Sequence, residues 1–287
     1  MTISDVTPTP SRTRAQTAQG LRWSLRDRWA GHPSYHRFIR HKRRRAVVDD
    51  RTELVIEAFP RSASTFTVVA FQTAQRRPVR LAHHLHAPVQ VAVAARLGVP
   101  TLVLVRHPRD AAISVTFRSP HVTLKQALEA YARFHSRVLE HRDRIEVARF
   151  EDVTTDLGTV IDSVNERFGT HFDRFDHTPE NVARCYALIE ERSVRPPWAD
   201  SIQAYVSGWI TAEQFAAVKA RGLSGPPAAG VPEARVARPS GERRSRREAA
   251  VALYESAQLE PSRNRAERVY RDFLAATQPA ARERSAS

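Results

Sequence analysis

The stretch Leu54–Phe66, LVIEAFPRSASTF, decides how this chain folds. Leu54, Val55 and Ile56 form an apolar, β-branched start of the kind found in buried parallel strands. The run then opens into a Pro-Arg-Ser-x-Ser-Thr turn and a helical segment, Ala63–Ala74, with Ser64 and Thr65 placed to cap it. A helix N-terminus turns unpaired N–H groups and partial positive charge into the loop before it. Arg61 adds a fixed cation, and the hydroxyls of Ser62, Ser64 and Thr65 add donors for anionic oxygens. The expectation is an oxyanion cradle at the end of a parallel strand.

A triphosphate-binding P-loop requires G-x-x-x-x-G-K-[ST], and no Gly or Lys lies between Leu54 and Phe66. A second segment, PTLVLVRHPRDAAIS at Pro100–Ser114, repeats the plan: an apolar strand, Arg106 at its carboxyl end, a His-Pro-Arg-Asp turn and a new helix. Ligands of open parallel sheets sit at the carboxyl ends of strands. The first segment resembles the 5′-phosphosulfate loop of sulfotransferases, Pro-[Lys/Arg]-Ser-[Gly/Ala]-[Ser/Thr]-Thr and an aromatic, with Ala63 and Phe66 in the last variable places. The second is similar to the family's 3′-phosphate segment, Arg-x-Pro-[Arg/Lys]-Asp-x-x-x-Ser, which assigns that role to Arg106 and Ser114. The resemblance implies an α/β fold with a mostly parallel sheet flanked by helices, P-loop-like. It also implies 3′-phosphoadenosine 5′-phosphosulfate (PAPS) as co-substrate, with no metal. Arg61, Ser62, Ala63, Ser64, Thr65 and Phe66 would hold the 5′ end, and Arg61 would also act in catalysis.

Between these segments lies RLAHHLHAPVQ, with His83, His84 and His86 at the end of a second strand. The family carries its catalytic base in Lys-Thr-His-x-Pro, and His86-Ala87-Pro88 reproduces the His-x-Pro portion without the Lys. His86 is the first choice and His84 the second, because strand alternation puts the two on one side and the interval from His84 to Arg106 suits the family spacing. An imidazole with an ordinary pKa near 6.5 can take a hydroxyl proton at neutral pH. Later, Phe150-Glu151-Asp152-Val153 and Phe168-Gly169 follow the family outline, with Phe150 in the place of a Tyr. The segment VARPSGERRSRREAA loosely resembles the late nucleotide-covering loop, with Arg238, Ser240 and Arg243 as phosphate contacts. An Arg-rich helix start capped by Ser240 explains the same residues equally well.

Strands are expected at Thr52–Phe59, Val79–His84, Thr101–Arg106 and Ile145–Phe150, with helices between them. Thr123 and Gln126 form a capping box before a face of Leu124, Leu128, Tyr131, Phe134 and Val138. Val160, Ile161, Val164 and Phe168 form a second stripe ending at Gly169. Two helices are expected between Ala250 and Ala276. The domain reading is a basic N-terminal extension at 1–50, partly helical or disordered, a sulfotransferase-like domain at 51–276 and a disordered tail at 277–287.

At 287 residues the chain can bury one sizeable core. Its single cysteine, Cys185, excludes an intramolecular disulfide and reads as a buried core thiol beside Val182 and Ile189. No Cys/His metal spacing occurs. No run approaches the ~18 apolar residues of a membrane span and no leader is visible, so the cytoplasm is expected. The net charge is +14, and residues 1–50 carry eleven Arg and Lys against four Asp. The cluster Arg40, Lys42, Arg43, Arg44, Arg45 is either a solvated face or a contact for an anionic surface, and nucleic acid is the less favoured partner. LRWSLRDRWAG reads as a short helix lying on the core, on a partner or on a membrane.

The expected partner is a small-molecule acceptor, a carbohydrate, lipid or natural product, presented to loops at Arg118–Val122 and Glu190–Ile210 with Trp198, Tyr205 and Trp209. Two other classes stand beside the transferase: a nucleotide or sugar kinase of related fold, which needs Mg²⁺ ligands and a Gly-Lys cradle absent here, and a non-catalytic basic anion-binding protein.

Overall fold

The four apolar runs pair as parallel strands: β1 (Leu54–Ala58), β2 (Leu81–His83), β3 (Thr101–Val105) and β4 (Glu146–Arg149). Their order is β2-β1-β3-β4, with Leu54 opposite Leu81, Val55 opposite Thr101 and Leu102 opposite Glu146. The computed structural model describes residues 13–194, 196–223 and 241–277. Each strand lies within its expected range and is trimmed at one or both ends, where side chains leave the sheet for the loops.

This order has a functional consequence. The chain steps from β1 to β2 on one side and returns through β3 on the other, so strand order reverses between β1 and β3. In parallel sheets the crevice beyond the carboxyl ends at such a reversal is where ligands bind. The loops following β1 and β3 are the two segments read above as anion-binding.

Helices cover both faces, because successive strand residues point to opposite sides. In chain order these are α1 (Arg14–Trp29), α2 (Pro33–Lys42), α3 (Ser64–Ala74), α4 (Pro88–Leu97), α5 (Pro108–Arg118), α6 (Leu124–Leu139), α7 (Phe150–Thr155), α8 (Leu157–Phe168), α9 (Pro179–Ser193), α10 (Ala199–Val206), α11 (Ala212–Leu223), α12 (Gly241–Glu255) and α13 (Glu260–Thr277). Leu54, Ile56, Leu102 and Leu104 meet Phe71 of α3, Ile161 and Val164 of α8, Cys185 of α9 and Ile202 of α10. Val103 and Val105 meet Ile113 of α5, Leu128, Tyr131 and Phe134 of α6 and Phe273 of α13. The fold is α/β, a parallel sheet flanked by helices.

Local signals explain several elements. Thr123 and Gln126 close the expected capping box on α6. Gly169 ends α8 at φ 64°, a left-handed C-cap that a glycine adopts without penalty. Cys185 is the buried core thiol expected, packed with Val182 and Ile189. One expectation fails: neither Ser64 nor Thr65 caps α3. The N-cap is Ala63 at φ 65°, with no side-chain cap bond, and the Thr65 hydroxyl is engaged by His84 instead.

The inner face of α1 lies on the core. Trp23 packs against the α6 side, Asp27 pairs with Arg133 at 2.7 Å, and Gln126 donates to the Gly20 carbonyl. A Cβ at Gly20 would stand 2.5 Å from the His121 carbonyl oxygen, so this close approach needs glycine. Trp198 and Tyr205 pack against the α3 side, while Trp209 lies under the guanidinium of Arg80 at 3.3 Å. Among the described residues no helix is long and apolar enough to cross a membrane.

Buried and half-buried histidines make the fold acid-sensitive. Burial pushes His83 down to about 3 and His86 and His135 down to about 4, and holds His84 well below the ordinary value. The unfolded chain binds these protons near pH 6.5 and the folded one does not, so stability is present above 6.5 and lost as pH falls toward 4. Buried Glu57, raised to about 7, acts oppositely: its stabilisation is present below about 4.5 and fades as pH rises through 7. Four groups outweigh one. His135, fully buried among Phe59, Tyr131, Phe134 and Phe273, is the test because among the described residues no other histidine packs against it. Lowering the pH from 7 to 5 should cost about 2 kcal/mol through this residue alone. His135→Phe should reduce the shift in urea midpoint between those pH values accordingly, and an unchanged shift would refute the assignment.

Candidate anion-binding site

Backbone geometry sets the site. Among the described residues the non-glycine residues with positive φ are Arg61 (74°), Ala63 (65°), His84 (56°) and His86 (51°). All four lie in the loops after β1 and β2. Such conformations cost of order 1–3 kcal/mol each where Cβ is present, and they concentrate at functional sites. The alternation in Pro60–Ala63 achieves with non-glycine residues the kind of concave turn that glycine usually supplies, with backbone N–H groups and the N-terminus of α3 at its edge.

Arg61, Arg106 and Ser114, distant in sequence, meet over this turn. Arg61 Nε donates to Ser114 Oγ at 3.0 Å, and an Arg106 guanidinium nitrogen donates to the Arg61 carbonyl at 3.0 Å. The Arg106 guanidinium stands 4.1 Å from the Phe150 ring centroid, and the Tyr131 hydroxyl donates to the Arg106 carbonyl at 2.7 Å. Desolvation is the main cause lowering the Arg106 pKa, yet a guanidinium keeps its charge at any working pH. Phe150, read from sequence as a lost hydroxyl, serves as the platform for this cation. Asp110, in the first turn of α5, pairs with Arg247 at 2.9 Å.

Ser62 is fully buried, and its hydroxyl has no hydrogen-bond partner among the described residues. A buried donor left unmade is costly, so an orphan hydroxyl in a cradle is a place where a ligand oxygen would be stabilising. Ser64 is buried at the helix start, and Phe66 is 5% exposed, stacked on Tyr186 and edge-on to Phe175. The ring of Phe66 anchors α3 in the core. Arg238 and Ser240 lie outside the described residues. Arg243 falls in the first turn of α12, and its side chain is not described.

The histidine loop differs from the sequence reading in its geometry. β2 ends at His83, so His84 and His86 are not strand neighbours, and alternation does not place them together. Two left-handed residues do, bringing their ring centroids to 5.8 Å. Both nitrogens of His84 are engaged: Nε2 with Thr65 Oγ1 at 3.0 Å and Nδ1 with His83 Nδ1. His83 continues to Ser207 Oγ at 2.8 Å, and Gln203 donates to that hydroxyl at 2.9 Å. The Glu190–Ile210 region is thereby tied to the loop. His86 Nδ1 meets the Ala58 carbonyl oxygen at 2.8 Å. A carbonyl only accepts, so Nδ1 carries the proton and Nε2 keeps its lone pair. Burial keeps the ring neutral, with a pKa of about 4.

No family model matches the chain, and no curated protein matches it. Among solved structures the chain is similar to mouse sulfotransferase SULT7A1 complexed with PAP, at 15% identity over 71% of this chain and 90% of that one, with a TM-score of 0.35. A likeness at that TM-score bears no weight, and the functional reading rests on the geometry.

Sequence reasoning missed Glu57. It is fully buried in β1, and its Oε1 accepts from the N–H groups of Ala58 and His86, each at 3.0 Å, while Oε2 accepts from Gln90 Nε2 at 3.2 Å. The signal available was an acid inside an otherwise apolar strand. Desolvation raises its pKa to about 7, and the backbone donors oppose the rise. Glu57→Ala orphans these donors and should destabilise the protein by roughly 1–3 kcal/mol per donor. It should also speed hydrogen exchange at the His86 amide far more than at α6. Uniform exchange rates across both would show that the carboxylate does not hold this loop.

Proposed function

We propose that this protein is a sulfotransferase that moves a sulfuryl group from PAPS to a hydroxyl or amine of a small-molecule acceptor, with histidine as general base. The observation that carries the reading is the meeting of Arg61, Arg106 and Ser114, with the orphan hydroxyl of Ser62, at the reversal of strand order beside two helix N-termini. This is a donor set for two anionic groups. It fits a 3′,5′-bisphosphate nucleotide.

The co-substrate would supply an activated sulfuryl group and a phosphate leaving group. Arg61, Ser62 and the N–H groups at the start of α3 would bind the 5′ end and stabilise charge developing on the leaving oxygen. Arg106 and Ser114 would hold the 3′-phosphate, with Phe150 fixing the guanidinium plane. His86 Nε2 would take the acceptor proton as the new bond to sulfur forms. A pKa of about 4 keeps His86 unprotonated at neutral pH, and a bound polyanion would raise it toward a value suited to a base. His84, with both nitrogens engaged, is better suited to positioning Thr65 and the loop. The tautomer of His86 supports the same choice as the His86-Ala87-Pro88 motif.

Arg106→Ala should weaken binding of 3′,5′-bisphosphoadenosine by about 2–4 kcal/mol, and should hardly change binding of the analogue lacking the 3′-phosphate. Calorimetry that finds both ligands equally affected would defeat the assignment. His86→Ala should lower turnover by about 10²–10⁴ with nucleotide affinity nearly intact, and Arg61→Ala should lower both. Thermal shifts separate the other classes: stabilisation by ATP with Mg²⁺ instead of the bisphosphate indicates a kinase, and stabilisation by polyanions alone indicates a binding protein.

A further inference from the structure

The outer face of α1 and α2 is unlike the rest of the surface. Large apolar side chains standing exposed there are Leu21 (59%), Leu25 (56%), Phe38 (41%) and Trp29 (39%), whereas only Leu97, Tyr186 and Leu253 do so elsewhere among the described residues. Leu21, Leu25 and Trp29 follow each other at four-residue steps, so they form one stripe along α1, opposite the face that buries Gly20 and Trp23 on the core. The Trp29 and Phe38 rings lie 5.0 Å apart and join the stripe to α2.

Cations border this stripe. Helical geometry puts Arg22 and Arg28 on either side of it, and Arg37, Arg40, Lys42, Arg43, Arg44 and Arg45 are all exposed along and after α2. Lys42 Nζ is 4.6 Å from the Phe38 ring. The one acid in either helix, Asp27, is turned inward to Arg133. An apolar stripe between guanidinium groups, with no exposed carboxylate in either helix, matches the boundary between acyl chains and anionic headgroups of a bilayer. A second copy of this chain, at net charge +14, would bring like charges together.

We propose that the outer face of α1 and α2 docks the protein peripherally on anionic lipid bilayers, with Leu21, Leu25, Trp29 and Phe38 entering the interface and the flanking arginines meeting headgroup phosphates. The inference is independent of the transferase reading. It also bears on the site's surroundings. These helices are fastened to the histidine loop, since Arg26 donates to the Leu85 carbonyl at 2.9 Å and Ala30 and Tyr35 pack with Leu85, Ala87 and Val89.

Co-sedimentation of the full chain with vesicles of phosphatidylcholine alone, or of phosphatidylcholine with phosphatidylglycerol, tests the proposal. Binding is expected to the anionic vesicles only and to weaken with salt. Leu21→Ser/Leu25→Ser should lower the partition coefficient at least about tenfold at constant salt, because the apolar insertion is lost. Arg22→Gln/Arg28→Gln should lower it and flatten the salt dependence. All substituted positions are exposed, and an unchanged melting temperature establishes that the variants are folded. The proposal is overturned by absence of binding to anionic vesicles at low salt. Binding that the double Leu variant leaves intact and heparin abolishes would also overturn it, since that is adhesion to any polyanion. So would a concentration-dependent dimer that the same Leu variant dissolves, since the stripe would then be a protein interface.

Discussion

A single buried carboxylate organises the loops at the end of this sheet. Glu57 lies at full burial in the central strand and accepts hydrogen bonds from its own strand end, from His86 and from Gln90. Removing a carboxylate from water is expensive unless its oxygens are satisfied, so the surrounding backbone has little freedom to move away. The His86 amide must point at Glu57, which helps hold that residue at φ 51° despite its Cβ, and the ring then reaches the Ala58 carbonyl. From one burial constraint follow the loop's path and the tautomer of His86.

The positively charged side of the site depends on a different kind of constraint, the topology of the sheet. Reversal of strand order between β1 and β3 leaves a crevice into which the loops after both strands must open. Arg61 and Arg106 leave those strands and would repel each other in isolation. They are reconciled by neutral partners: Ser114 and the Phe150 ring each take one guanidinium, and the Arg61 carbonyl takes an Arg106 N–H. The result is a concentration of positive charge beyond the ends of β1 and β3, offset in part by Asp110 and Glu151 near Arg106.

The two ends of the site are mechanically joined. Thr65 in the first turn of α3 meets His84, which meets His83, and through Ser207 and Gln203 the connection reaches α10. The first turn of α3 is therefore coupled to the histidine loop through side chains rather than through the sheet alone. On the far side of that loop, α1 and α2 pack by Tyr35 and Ala30 and through Arg26. α1 and α2 are thus part of the support of the site, with Leu21, Leu25, Trp29 and Phe38 exposed among the described residues.

Much of this was legible in the sequence, because the relevant interactions are short-ranged. The strand runs, the Thr123–Gln126 box and the glycine stop at Gly169 are set by residues within a few positions of one another, and so is the succession of strand, cationic loop and helix at Leu54–Phe66 and Pro100–Ser114. What tertiary structure alone decided involves residues far apart in the chain. The N-cap of α3 is Ala63, with no side-chain cap bond, while the Thr65 hydroxyl meets His84, nineteen residues later. Phe66 became a core residue because Tyr186 and Phe175 cover it. That both ring nitrogens of His84 are engaged while His86 uses Nδ1 on a carbonyl is a matter of His83 and Thr65 on one side and of Ala58 on the other. Local pattern determines which elements form and which charges they carry to the end of the sheet; only the packing of distant segments determines which of those groups are satisfied and which are left open to a ligand.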